Sequence, residues 1–277
     1  GDFLYPLATE STLEQFYLEK PEGTFCPELH DARTAVWNTL RPFRMKLLRL
    51  APAKFIHFGT TREIMDLMNH GIHAYKELGW SNNVVSSISG STAGYNSVLS
   101  NQAVIGDHCY LETSYVHSAG RIGNNVLLSY IDIHDEQIPD GVVLHGLKQK
   151  DGKFVVRIYG IDDNPKENRL FGKPLDILED IWSSEDRTLW TANLYPACDT
   201  IREAVSAALN LYAIMHGRGD LKAWKNSGRK SLCSGFNNAD ASAIIAWDQR
   251  MEDLVRMDEI DKLISSGRPA REGKRIL

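Results

Sequence analysis

Val104-Ile105-Gly106-Asp107-His108-Cys109 and Arg121-Ile122-Gly123-Asn124-Asn125-Val126 repeat one theme, Ile-Gly-(Asp/Asn)-polar. Around them Val98, Val104, Tyr110, Val116, Ile122 and Leu128 stand six residues apart without a break. Turn formers and small residues fill the gaps, among them Ser100, Gly106, Asp107, Gly120 and Gly123. A period of six fits neither an α-helix nor a hairpin, and it predicts a hexapeptide β-helix. In such a fold each hexad makes one flat side of a triangular coil and points its aliphatic residue into a shared core. Three hexads of about eighteen residues make one coil, so Val84 to His145 predicts about three coils. Those six residues are the predicted core. Beyond Leu128 the apolar spacing shortens to five (Ile133, Ile138, Val143), which predicts corner irregularities there. Val142-Val143-Leu144 and Phe154 to Tyr159 read as strands that finish or cap the coil, because an open strand edge invites aggregation.

The segment before the repeat reads as α/β material. Ser11-Thr12-Leu13-Glu14 is a capping box, and Leu29, Val36, Trp37 and Leu40 line a second helix. Arg44 to Leu50 and Lys54 to Phe58 read as strands. Gly59-Thr60-Thr61 then turns into a helix carrying Ile64, Leu67 and Met68, with Thr60 or Thr61 as its N-cap. Backbone N–H groups in this turn could face a phosphate or a sugar hydroxyl. The turn could equally be structural, ending a strand and capping a helix.

After Asp162-Asp163-Asn164-Pro165, a turn cluster, the pattern becomes helical. Thr200-Ile201-Arg202-Glu203 is a capping box before an amphipathic helix that ends near His216-Gly217. A later helix carries Ile244, Trp247, Met251 and Leu254, and a last one carries Ile260, Leu263 and Ile264. The domain boundaries expected are 1–80, 81–160 and 161–277.

Composition narrows the function. The chain has 277 residues, 43% hydrophobic and 24% charged, with a net charge of −5. That balance gives no electrostatic reason to expect nucleic acid as a partner. Four widely spaced cysteines without a C-x-x-C pair argue against a disulfide framework and fit a reducing, cytoplasmic setting. No apolar run reaches membrane-spanning length, so no membrane partner is expected. P-loop, G-x-G-x-x-G, G-x-S-x-G and H-E-x-x-H motifs are all missing from the sequence. No metal site is expected. Asp2 is a single carboxylate, and Asp162-Asp163-Asn164 lacks the later residues of a calcium loop. His108, His117, His134 and His145 fall in the repeat, where one could be a general base, as in hexapeptide acyltransferases, or all could be structural.

Several stretches together resemble the fucose-1-phosphate guanylyltransferase family, including members fused to a fucokinase. They are Gly1 to Ala8, Phe55 to Thr61, Ile158 to Lys166 and Ser231 to Ala239. The resemblance covers essentially the whole chain. It implies the C-terminal remnant of a doubly wound α/β nucleotidyltransferase domain, then a short left-handed hexapeptide β-helix, then an α-helical segment leading to a kinase domain. It further implies an internal fragment of a larger parent that uses Mg²⁺, ATP and GTP. Both phosphate-binding loops would lie outside this chain, so the fragment itself is expected to bind no cofactor and to supply a connector or self-association module. Sugar-side contacts would fall to His57, Gly59 and Thr60, with the catalytic residues elsewhere.

Overall fold

The computed structural model describes residues 3–20, 26–46, 48–49, 51, 56, 58–88, 92–182 and 185–266. The chain divides into two compact units, Gly1–Ile56 and His57–Leu277.

The first unit is helical in its described residues, with helices Leu4–Leu7, Leu13–Leu18 and Glu28–Leu40. Phe16 is its buried centre, stacked on Tyr5 at 5.3 Å and tilted against Trp37 at 6.4 Å. The capping box sits one residue later than expected, between Thr12 and Gln15. The strand expected at Arg44 to Leu50 does not form at its described residues, which meet no partner strand. Most of the run Lys54 to Phe58, and Asp2, lie outside the described residues.

The second unit is built on a coil of about three turns. Its first face pairs Ala93–Tyr95, Tyr110–Glu112, Leu127–Ser129 and Val142–Lys148 in parallel. The second stacks Val98–Leu99, Tyr115–Val116 and Asp132–Ile133, and the third Val104–Ile105, Arg121–Ile122 and Gln137–Ile138. The register fixes the repeat. Ala93 pairs with Tyr110, and Tyr110 with Leu127, so these coils take seventeen residues rather than eighteen, and the last step, Leu127 to Val143, takes sixteen.

This repeat moves the expected core by one position in its first coil. Leu99, Leu111, Val116, Ile122, Leu128, Ile133, Ile138 and Leu144 fill the interior, with Ile105 packed against them. Val116, Ile122 and Leu128 therefore point inward, whereas Val98, Val104 and Tyr110 do not. Val104 is 53% exposed. Val98 is covered from outside by Met251 and Val255, and Tyr110 packs on the outer face with Met65. Side chains alternate across a strand, so a shift of one residue reverses the face.

The Ile-Gly-(Asp/Asn) theme has a packing cause. A Cβ on Gly106 would stand 2.7 Å from the Gly123 backbone, and one on Gly123 2.8 Å from the Asp140 nitrogen. The polar residue that follows ties the turns together. Asn124 Oδ1 accepts from the Asp107 N–H at 2.9 Å, and Asp140 Oδ1 from the Asn124 N–H at 2.8 Å.

At the last turn, Val142–Lys148 also pairs antiparallel with Phe154–Gly160, which continues to Tyr195–Cys198 and Arg229–Lys230. Helix Ile201–Met215 covers this end and buries Val205, Ala208 and Leu211, with the Thr200–Glu203 capping box as expected. Residues 161–266 are thus not simply helical. A short hairpin buries Leu170, and loops bury Leu178, Ile181, Leu189 and Leu194, in the same core. The two final helices expected are one, Ala241–Ser265, because no breaker separates Leu254 from Ile260. Among the described residues no helix is long and apolar enough to cross a membrane.

Candidate functional site

The Gly59-Thr60 turn starts a short helix, Thr61–Asp66. Its N–H groups are already occupied. Gly59 and Thr60 donate to Glu63 Oε2 at 2.6 and 3.0 Å, while Thr60 Oγ1 accepts from the Glu63 N–H at 3.2 Å. The Glu63 carboxylate thus takes up the two N–H groups of the turn itself, Gly59 and Thr60. His57 lies outside the described residues.

The helix is pinned to a distant stretch. Arg62 forms a two-pronged ion pair with Asp162, Nη2 to Oδ2 at 2.6 Å. The Arg62 hydrogen bond holds the Asp162 carboxyl below the usual carboxylate range. The Thr61 side chain lies against the Tyr159 hydroxyl, and Met65 packs with Ile161. The stretches Phe58–Thr61 and Ile158–Lys166, far apart in sequence, therefore meet on the outside of the first coil face.

Beside this junction is a polar cavity of about 510 Å³, walled by Asp140, Asp162, Asn164, Glu167, Arg169 and His216. Asp163 builds its floor by accepting from the N–H groups of Gly160 at 2.6 Å and Phe171 at 2.8 Å. That anchor offsets the left-handed backbone of Phe171, φ +51°. Phe171 meets Tyr212 edge-on at 5.0 Å, and Tyr212 stacks on His216 at 4.2 Å. Carboxylates as acceptors beside aromatic edges suit a ligand rich in hydroxyl groups. Nothing in the sequence signalled this cavity beyond the turn cluster Asp162 to Pro165.

The four histidines of the repeat separate. His145 is only partly exposed but densely surrounded. Burial, then the adjacent Arg157 charge, lowers its pKa to about 3. It is neutral and accepts a hydrogen bond from Arg157 at Nδ1, which removes it as an exposed base. His108 bonds to Asp66 at 2.9 Å and stacks on His70 at 4.6 Å. His117 and His134 share Asp132. The four cysteines are free, and burial raises the Cys109 thiol to about 11, so it is not a nucleophile.

The chain carrying this coil and junction matches a known family by its sequence. The fucose pyrophosphorylase domain model covers residues 1–200, and the chain belongs to that family. Similar proteins include the fucose-1-phosphate guanylyltransferase of Mus musculus, 23% identical over 97% of this chain and 49% of that protein. The human protein of the same name is 24% identical over 76% of this chain and 40% of its own length. A bifunctional fucokinase/GDP-fucose pyrophosphorylase of Arabidopsis thaliana is 29% identical over 68% of this chain and 22% of its own. The chain thus spans at most about half the length of these relatives. No solved structure gives a significant match.

Proposed function

We propose that this chain is the coil-bearing part of a cytoplasmic fucose-1-phosphate guanylyltransferase. The whole protein would join fucose-1-phosphate to GTP, releasing GDP-fucose and pyrophosphate, with Mg²⁺ neutralising the phosphates. Residues 1–80 would form the end of the nucleotidyltransferase domain. A kinase domain making fucose-1-phosphate from fucose and ATP would follow, as the name of the Arabidopsis relative suggests.

Family membership over residues 1–200 carries this reading. The junction of Arg62 with Asp162 supports a role on the sugar side, because the cavity next to it offers acceptors for hydroxyl groups. Gly59 and Thr60 would serve there by shaping the turn rather than by donating to substrate. The coil would connect the catalytic parts and mediate self-association. Val84, Val85 and Tyr95 support that role, as exposed apolar residues on neighbouring rungs at the start of the first face.

The sequence contains no glycine-rich nucleotide loop, so the chain by itself is proposed to be inactive. The test is an assay of this chain for pyrophosphate release from GTP and fucose-1-phosphate. No turnover above background is expected, and clear turnover would overturn the reading.

A further inference from the structure

Residues one coil apart stand above one another, and this places His117 against His134. Their rings are stacked at 4.2 Å with an interplanar angle of 11°, and Tyr115 stacks on His117 at 3.9 Å. Asp132 occupies the neighbouring position on the same face. Its Oδ1 lies 2.8 Å from His117 Nε2, and its Oδ2 lies 3.5 Å from His134 Nε2. Both imidazoles therefore turn the same nitrogen towards one carboxylate. The three ligand atoms lie within 4.8 Å of one another.

The nearby acids are engaged elsewhere. Asp135 and Glu136 pair with Arg202, and Glu136 also accepts from the His134 N–H at 2.7 Å. Among the described residues, the Asp132 carboxylate is paired with the two histidines only. Its side chain is 16% exposed, and the histidines are half-buried. The backbone ladder holds all three on adjacent parallel rungs, so little conformational freedom is left to lose on binding.

We propose that His117, Asp132 and His134 form a three-ligand site for a borderline divalent cation of the zinc class. Two imidazole nitrogens and one carboxylate oxygen favour zinc, cobalt or nickel over magnesium or calcium. Tetrahedral bonds of about 2.0–2.2 Å set ligand atoms roughly 3.3–3.5 Å apart. To meet that spacing the two stacked rings must splay so that both Nε2 lone pairs converge on one point beside the Asp132 carboxylate, whose oxygens lie 2.8 and 3.5 Å from them. The fourth position is left for water or an added ligand. Asp132 also forms one wall of a cavity of about 460 Å³, whose other walls include Lys148, Trp247 and Arg250. Asp66, His70 and His108 make a second cluster, but Asp66 and His70 are exposed there, and it serves as the control.

The experiment titrates the chelator-stripped protein with Co²⁺, following the visible absorption of four-coordinate cobalt, and with Zn²⁺ by calorimetry. One equivalent is expected to bind. His134→Ala and Asp132→Asn are each expected to weaken binding at least about 100-fold, whereas His70→Ala leaves it unchanged. Zn²⁺, but not Mg²⁺, is expected to raise the melting temperature of the unsubstituted protein, a readout that needs no variant to fold. Absence of saturable Co²⁺ or Zn²⁺ binding would overturn the proposal. So would loss of the signal in His70→Ala with retention in His134→Ala.

Discussion

Arg62 and Asp162 lie one hundred residues apart in the chain and join through two hydrogen bonds, one of 2.6 Å. The pair ties the helix after the Gly59-Thr60 turn to the turn that ends strand Phe154–Gly160. Both side chains are well exposed, at 43% and 68%, so solvent screens the charge. The pair therefore positions the helix more than it stabilises the fold. Arg62→Ala is expected to cost less than about 1 kcal/mol. It should nonetheless raise amide exchange across Thr61–Asp66 while leaving the coil strands protected. Unchanged exchange in that helix would show that Met65, with the Thr61 and Asp66 contacts, holds it without the pair.

The seventeen-residue register separates two valines that a strict period of six treats alike. Val116 is fully buried inside the coil, and Val104 is 53% exposed on its surface. Val116→Asp strands a charge in a narrow apolar core and is expected to cost several kcal/mol. Val104→Asp is expected to stay within about 0.5 kcal/mol. Chemical denaturation of both variants checks this, and equal losses would refute the register.

Gly123 is held by close approach rather than by its backbone angle. Its added Cβ would meet the Asp140 nitrogen at 2.8 Å and the carbonyl carbon of Pro139 at 2.9 Å. Backbone atoms cannot swing aside as a side chain can. Gly123→Ala is expected to destabilise by roughly 1–3 kcal/mol, read as a lower denaturation midpoint. Gly152→Ala would be a poor comparison, because its φ of +83° adds strain of a different kind.

His145 makes stability depend on pH. Its folded pKa, about 3, lies below the ordinary value of 6.5, so the unfolded chain takes up the proton first as pH falls. The stabilisation is complete above about pH 6.5 and is lost on acidification towards pH 3, at up to roughly 1.4 kcal/mol per pH unit. His145→Gln is expected to flatten that slope between pH 6.5 and 5 in thermal melts. An unaltered slope would assign it to other groups.

Asp248 clamps helix Ala241–Ser265 to one corner of the coil. Its carboxylate accepts from Thr113 Oγ1 at 3.2 Å and the Tyr130 hydroxyl at 3.3 Å, and Asn96 reaches its carbonyl at 3.0 Å. Asn96, Thr113 and Tyr130 are equivalent corner residues of successive turns, all with left-handed backbones. Asp248→Ala is expected to cost about 1–3 kcal/mol, by leaving partly buried donors without an acceptor. Limited proteolysis should then cut this helix first.

Local signals were legible in the sequence where one short stretch carries the whole cause. Thr200 and Glu203 close a capping box within four residues, and Gly106 and Gly123 mark corners that admit no side chain. The repeat itself was legible, but its phase was not. Val98 and Tyr110 face outward yet are apolar, because Met251 and Met65 cover them. A coil wrapped by helices is apolar on both sides of its wall, so hydrophobic spacing cannot tell inside from outside. The Arg62–Asp162 junction and the sharing of Asp132 by His117 and His134 depend on register and docking. No local pattern encodes either one.

The most direct measurement is GDP-fucose formation from GTP and fucose-1-phosphate by the full polypeptide encoded by the surrounding reading frame, compared with this chain alone. The full polypeptide is expected to form GDP-fucose and pyrophosphate, and the chain alone neither. Turnover by the chain alone, or a full polypeptide that uses another sugar phosphate and leaves fucose-1-phosphate untouched, would contradict the assignment.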